Sequence, residues 1–306
     1  MFCLQQPRPQ TQSVFTILAR ISRYHALGCD FAAIEQLSYL ISVDTSIPVS
    51  LERHPGGAAT ARQRSLPAPE PLVEVRGLSL TRDKSILHGI NWSVLPGERW
   101  VLLGANGSGK TSLISAIAGY MPLTRGEVRI FGEVYGKSDW RDLRRRIGLV
   151  NPFIAERVDS GATGLATVLS GRAATIDLYG RPGPTERMEA EMLLKRVGCA
   201  HLATRSWGTL SQGEQKRVLI ARALMARYGI LFLDEPCASL DPVARETFLG
   251  MISQIARRKK SPSIVLVTHH VEEIGPEFTH LLILKKGRVL SSGKIEDIIS
   301  TKVLSS

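Results

Sequence analysis

Two stretches of this chain hold the residue types that phosphate chemistry needs. Gly104-Ala-Asn-Gly-Ser-Gly109-Lys110-Thr111 fits the pattern G-x-x-x-x-G-K-[ST]. It follows the apolar run WVLL and opens the helical pattern SLISAIAG, the strand-loop-helix context in which that pattern binds phosphate. The glycines let backbone N–H groups converge on phosphate oxygens, and the helix start adds the positive end of its dipole. Lys110 is placed to neutralise the β and γ phosphates, and the Thr111 hydroxyl to meet Mg²⁺. In the second stretch, Ile230-Leu-Phe-Leu-Asp234-Glu235, four apolar residues run into two acids at the carboxyl end of a strand. Beside a phosphate loop, Asp234 would hold Mg²⁺, directly or through water. Glu235, on the other side of the strand end, would orient or deprotonate an attacking water.

Such loops need a buried sheet to hold them, and the chain can supply one. It has 306 residues, 43% of them hydrophobic and 22% charged, an ordinary globular composition. The formal charge is +11; the first seventy residues hold six arginines, five acids and no lysine, a net of +1, so +10 belongs to the rest. That excess suits phosphate ligands, an acidic partner surface or anionic lipid heads and does not choose among them. Cys3, Cys29, Cys199 and Cys237 are widely spaced with no Cys-x-x-Cys pair, which argues against a disulfide framework or zinc site and for a reducing compartment. No run of eighteen apolar residues occurs, so another chain must cross any membrane that this one serves.

Residues 1–70 differ in texture from the rest: Gln and Pro near the start, a weakly apolar patch in SVFTILARISRYHALG, then the loop-like RHPGGAATARQRSLPAPEP. A poorly ordered extension, a start codon assigned too early, and an organellar leader built on Arg8, Arg20 and Arg23 all remain open. From Leu72 short apolar runs alternate with turns. INWSVLPGERWVLLG carries a Pro96-Gly97 turn before a buried strand, EVRIFGEVYG reads as a hairpin, and RRRIGLV leads into another strand. Between about 151 and 209 the reading is helical. In PTERMEAEMLLKRVG the apolar set Ala190, Leu193, Leu194 and Val197 shares one face, with Thr185 as N-cap and Gly198 as the stop. ILFLDEP and SIVLVTHH read as central parallel strands, and LLILKKGRVLSSG as a closing hairpin. No internal repeat appears, so the chain carries one such unit.

The loop at 104–111, LSQGEQ at 210–215, LFLDEP at 231–236, SLD at 239–241 and VTHH at 267–270 together resemble, in order and spacing, the nucleotide-binding domain of an ABC ATPase. The resemblance spans about Leu72 to Asp297. It implies an α/β fold: a P-loop NTPase core with a mostly parallel sheet, an antiparallel β portion and an inserted helical subdomain at about 151–225, within a domain at 71–300 followed by a short tail. It implies ATP and Mg²⁺ as ligands, with Gly104, Asn106, Gly107, Ser108, Gly109, Lys110, Thr111 and Ser112 around the nucleotide. It also implies a head-to-tail dimer, in which Ser211, Gln212, Gly213, Glu214 and Asp241 of one copy approach the nucleotide held by the other. Ser211 and the amides around Gly213, heading a helix with Lys216 and Arg217, make a second anion-binding terminus consistent with that role. By the same resemblance His269 is the switch histidine at the γ-phosphate, with His270 turned away as a structural residue, and Ser239 meets the partner's phosphate loop.

The chain departs from the family pattern at two places. An aromatic residue that stacks on adenine is usual near Thr81 and Arg82, and Arg82 would have to stack its guanidinium instead. The strand RRRIGLV usually runs into a glutamine that binds Mg²⁺; Pro152 stands in its place, and Asn151 could offer an amide oxygen from one residue earlier. Basic clusters at Arg144–Arg146 and Arg257–Lys260 lack interleaved aromatics and read as solvated edges, which makes nucleic acid an unlikely partner. Cys237 reads as a small packing residue. The leading reading is the ATP-hydrolysing subunit of an ABC transport system, cytoplasmic and peripheral on the inner face of a membrane, paired with a second copy and a membrane permease. The competing class is a non-transport ABC ATPase acting as a regulatory or nucleic-acid-linked switch. A protein that binds ATP without hydrolysing it conflicts with the presence of Glu235 and His269.

Overall fold

The structure, a computed structural model, describes residues 69–300 except 227, 239, 259 and 260. The expectations for residues 1–68, for Ser239, for Lys260 and for the tail at 301–306 lie outside the described residues.

The apolar runs become two sheets. Four antiparallel strands, β1 (Val73–Thr81), β2 (Ser85–Val94), β4 (Arg125–Ile130) and β5 (Glu133–Val134), pair in the order β2-β1-β4-β5. Six others, β3 (Arg99–Leu103), β6 (Ile147–Val150), β7 (Ile230–Asp234), β8 (Ser263–Thr268), β9 (His280–Lys285) and β10 (Arg288–Lys294), pair in the order β10-β9-β3-β8-β7-β6. Every pairing in this second sheet is parallel except the β9–β10 hairpin, as the sequence reading expects. Every residue of β7 and β8 is buried, which is why these strands read as unbroken apolar runs and not as alternation.

Parallel pairing also gathers the chemistry. Leu103 of β3 stands opposite Thr268 of β8, and Asp234 of β7 opposite Val267. The residues that follow each strand therefore emerge at the same edge of the sheet, the carboxyl-end crevice where open α/β sheets bind ligands.

Helix α1 (Lys110–Ile117) follows the phosphate loop, and the short α2 (Trp140–Arg144) precedes β6. Four helices lie between β6 and β7: α3 (Pro152–Ala155), α4 (Gly164–Ser170), α5 (Pro184–Arg196) and α6 (Gln212–Met225), the last three packed on one another. The apolar face expected of α5 is buried as read. Its start is not as read, because the N-cap is Gly183, not Thr185. Pro184 lacks the N–H that the first helical residue can spare, and Glu186 reaches back to the Gly183 N–H at 3.1 Å. Gly198 ends the helix at φ 72°, a conformation that glycine adopts without penalty. Helix α7 (Pro242–Ala256) leads from β7 to β8, and α8 (Ile295–Ser300) follows β10.

The arginines at 144–146 do not form a simple solvated edge. Arg144 lies 4.4 Å over the Tyr120 ring and donates to the Gly119 carbonyl, and Arg146 lies 3.9 Å over Phe131. The aromatic partners come from distant sequence, so local inspection for interleaved aromatics misses them.

Candidate nucleotide site

Residues 104–109 join β3 to α1, and close packing shapes the loop. A Cβ at Gly104 would run into the Leu284 carbonyl of β9, and Gly109 sits at φ 103° with the Leu87 side chain against it. The loop is pinned from outside by the β9–β10 turn, where the Gly287 N–H donates to the Ser108 carbonyl at 3.0 Å. Asn106 and Gly107 are exposed at the mouth, whereas the Ser108 hydroxyl is buried without a hydrogen-bond partner. The first amides of α1, free of intrahelical acceptors, would be available to a phosphate ligand. Ser112 lies half-buried in the first turn.

Lys110 is buried and donates to the carbonyls of Gly104 at 2.8 Å and Ala105 at 3.0 Å. Its Nζ is also 3.4 Å from Glu235 Oε1. Burial lowers its pKa, and the charges of Glu235 and Asp234 oppose that shift. A phosphate would offer this ammonium stronger acceptors than two neutral carbonyls.

Asp234 is 2% exposed, and one of its carboxylate oxygens, Oδ1, has no hydrogen-bond partner. The Thr111 hydroxyl lies near the carboxylate and favours its charged form. Burial is the main cause that pushes the Asp234 carboxyl up to about 6, and the Glu235 charge adds to it, against the Thr111 hydroxyl and the Lys110 charge. An orphaned carboxylate oxygen beside a hydroxyl is the hard-oxygen environment that Mg²⁺ takes with phosphate oxygens, so the residues present fit that cation.

Glu235 is placed by a turn rather than by strand alternation. β7 ends at Asp234, and Glu235 adopts φ 46°, in the left-handed region, while its N–H still donates to Val267 O at 2.9 Å. Its carboxylate comes to 3.3 Å from His269 Nδ1 as well as 3.4 Å from Lys110. A non-glycine residue in that region costs on the order of 1 kcal/mol, and such outliers cluster at functional sites. The expectation that His270 faces away assumed that β8 continues. The strand stops at Thr268, the His269 and His270 rings lie 4.0 Å apart, and His270 pairs with Glu272 at 3.0 Å.

The other expected residues have their own local settings. Ser211 is the N-cap of α6, its Oγ accepting from Glu214 N at 3.3 Å while Glu214 accepts from Ser211 N at 2.8 Å. Ser211 and Gln212 are exposed, and Gly213 lies against Leu240. Asp241 caps α7 through bonds from Val243 N and Ala244 N at 3.0 and 2.9 Å. Arg82 is exposed at the β1–β2 turn, four residues before Ile86, whose carbonyl borders Gly109. Asn151 is buried; its Oδ1 caps α3 at Phe153 N, 2.6 Å away, and its Nδ2 donates to Asp234 at 3.3 Å. The amide oxygen expected at the cation is thus engaged in a helix cap. Cys199 and Cys237 are buried, and neither is in a disulfide.

Sequence reasoning also missed a contact made by α6. Lys216, on the second turn of α6, donates to the carbonyls of Glu235, 3.4 Å away, and Ala238. Its targets are backbone atoms, which leave no residue-type signal.

The pattern of the ABC transporter family matches residues 87–238. An uncharacterized ABC transporter ATP-binding protein of Bacillus subtilis, YlmA, is 42% identical over 236 residues, 76% of this chain and 89% of that protein. The chain belongs to the ABC transporter ATPase family. The zinc transport system ATP-binding protein TroB of Treponema pallidum is 31% identical, over 73% of this chain and 81% of its own. Among solved structures, cbiO1 from Clostridium perfringens, part of the ABC transporter complex cbiONQ, superposes with a TM-score of 0.63 at 26% identity, covering 76% of this chain and 92% of that one. The dimeric cassette MJ0796 bound to ADP and Pi gives 0.64 at 25% identity, covering 73% and 98%. This ABC cassette is therefore an ATPase, the ATP-hydrolysing subunit of a transport system, of a kind that dimerises and works with a membrane permease. The transport reading prevails over the non-transport switch. Among the described residues no helix is long and apolar enough to cross a membrane.

Proposed function

We propose that this cassette hydrolyses ATP at a composite site shared by two copies of the chain. The phosphate loop of one copy would hold the nucleotide and the Ser211–Glu214 turn of the other would close over it, with Asp241 beside that turn. The observation that carries this reading is the convergence of three elements: the Glu235 carboxylate lies 3.4 Å from Lys110 of α1 and 3.3 Å from His269 after β8. Bound Mg²⁺, held by the Thr111 hydroxyl and Asp234, would neutralise charge on the phosphates. Lys110 would exchange its loop carbonyls for phosphate oxygens. Glu235 would take the proton of a water whose oxygen attacks the γ-phosphorus as the bond to the β-phosphate oxygen breaks, giving ADP and phosphate. His269 would orient Glu235 and the γ-phosphate relative to each other.

The exposed start of α6 supports the dimer geometry, since Ser211 and Gln212 are open to a partner while Glu214 fixes the turn. Exposed Tyr179 supports a permease contact within Phe153–Tyr179, with the cassette peripheral on the cytoplasmic face of the membrane. Glu235→Gln tests the centre. It should lower phosphate release at least about 100-fold while ATP stays bound. Release within a few-fold of the parent protein would remove Glu235 from the chemistry. Copurification of a multi-span membrane protein with this variant from detergent-solubilised cells, in the presence of ATP, tests the permease assignment.

A further inference from the structure

We propose that Asn151 is a positioning residue, one that ties the Asp234 carboxylate to the entrance of the helical subdomain and aims its free oxygen, rather than itself a ligand of the cation. The inference rests on the reading of Asp234 as the residue that holds Mg²⁺.

Register brings the two residues together. β6 and β7 are parallel neighbours, Val150 stands opposite Leu233, and so the residue after β6 faces the last residue of β7. Both side chains are 2% exposed. The orientation of the Asn151 amide is fixed by its partners. The Phe153 N–H can only donate, so the atom 2.6 Å from it is the oxygen, and the NH₂ is left facing an Asp234 oxygen that can accept. Pro152 holds the backbone in place as well. A residue before proline is driven to extended geometry, and Asn151 sits at φ −155°, ψ 144°, with the proline as the first residue of α3.

The chemistry follows from this orientation. Asp234 Oδ2 is held by Asn151 while Oδ1 has no hydrogen-bond partner. A neutral amide donor orients a carboxylate without competing for its charge, as a lysine or arginine in the same place would. Because the other end of the amide caps α3, a shift of α3 pulls on Asp234. Phe153 of α3 is half-buried, and Arg157, just beyond the helix, is exposed with its guanidinium 3.4 Å over the Phe153 ring. Outer groups that orient a metal-holding side chain typically contribute 10- to 100-fold in metal affinity.

Two substitutions separate the candidate roles. Asn151→Asp keeps an oxygen for the Phe153 N–H but replaces the donor with a second carboxylate, whereas Asn151→Ala removes both functions. Mn²⁺ titrated into the ATP-bound full chain, followed by the loss of the free-ion EPR signal, should bind about 10-fold or more weakly in each variant. Binding of a fluorescent ATP analogue in EDTA should stay unchanged. In Asp234→Asn the same Mn²⁺ site should be lost, and Asn151→Ala added to it should have no further effect. Unchanged Mn²⁺ affinity in Asn151→Asp would reduce the residue to a helix cap, and tighter Mn²⁺ binding there would make position 151 a ligand; either overturns the proposal. If Asp234→Asn leaves Mn²⁺ binding intact, the reading of Asp234 fails and this one with it. If only the Asn151 variants leave it intact, this one alone fails.

Discussion

At the scale of single residues, the site carries a charge in a place that disfavours it. Burial pushes the Asp234 carboxyl from 3.8 to about 6. Below 3.8 Asp234 is protonated whether the chain is folded or not. Between 3.8 and 6 the folded chain holds the proton more tightly, so stability falls as pH rises across that window. Above it the ionised carboxylate costs about 3 kcal/mol, at 1.36 kcal/mol for each pH unit. In EDTA and without nucleotide, Asp234→Asn should therefore raise the melting temperature at pH 8, by several degrees, and the gain should shrink toward zero as pH is lowered to 4. A variant that melts with the parent protein at pH 8 would show that water or neighbours already relieve the charge. The place of this residue was legible in the sequence, because four apolar residues running into two acids mark the carboxyl end of a buried strand. Its partners were not. Asn151 reaches Asp234 through the register of two parallel strands, and Glu235 reaches Lys110 through a positive φ, and neither leaves a mark in residue type.

At the scale of elements, helix α6 joins two jobs. Its first turn is closed by the reciprocal Ser211–Glu214 bonds, and its second turn sends Lys216 to the carbonyls at the end of β7. The Ser211 N–H is the main cause that lowers the Glu214 pKa, so the turn is built around an ionised glutamate. Ser211→Ala removes the cap and should cost about 1 kcal/mol in urea unfolding. Lys216→Met keeps the buried stem but drops both hydrogen bonds. It should lower kcat several-fold with KM for ATP little changed, because the group touches the Glu235 backbone and not the nucleotide; a rise in KM alone would place Lys216 elsewhere in the cycle. The strands were legible where burial on both faces made apolar runs, as in β7 and β8. The start of α5 was misread because Thr185 looks like a cap, whereas the fixed φ of Pro184 starts the helix earlier. The turn of His270 toward His269 was misread because the end of β8 is set by where its neighbours stop pairing.

At the scale of the whole molecule, the composite site makes a prediction that no single chain can satisfy. Lys110 would serve the nucleotide bound by its own copy, and Ser211 the nucleotide bound by the other. Lys110→Ala and Ser211→Arg should therefore each abolish hydrolysis in homodimers, since every site lacks one half. In a mixed dimer the two lesions fall on the same site. The other site combines an intact phosphate loop with an intact Ser211 turn. An equal mixture gives half mixed dimers, each with one complete site, so activity should return to about one quarter of the parent rate if sites act independently and subunits exchange freely. Recovery should scale with the product of the two variant concentrations at low protein, and vanish if the mixture is diluted below the dimerisation range. A mixture that stays inactive while crosslinking proves that mixed dimers form would mean either that both ATP sites must be complete in every cycle or that the Ser211 turn does not act in trans. A heterodimer carrying Ser211→Arg alone on one copy separates these. After an inactive mixture, half the parent rate goes with a turn that serves the nucleotide of its own copy, and none with obligate coupling of the two sites.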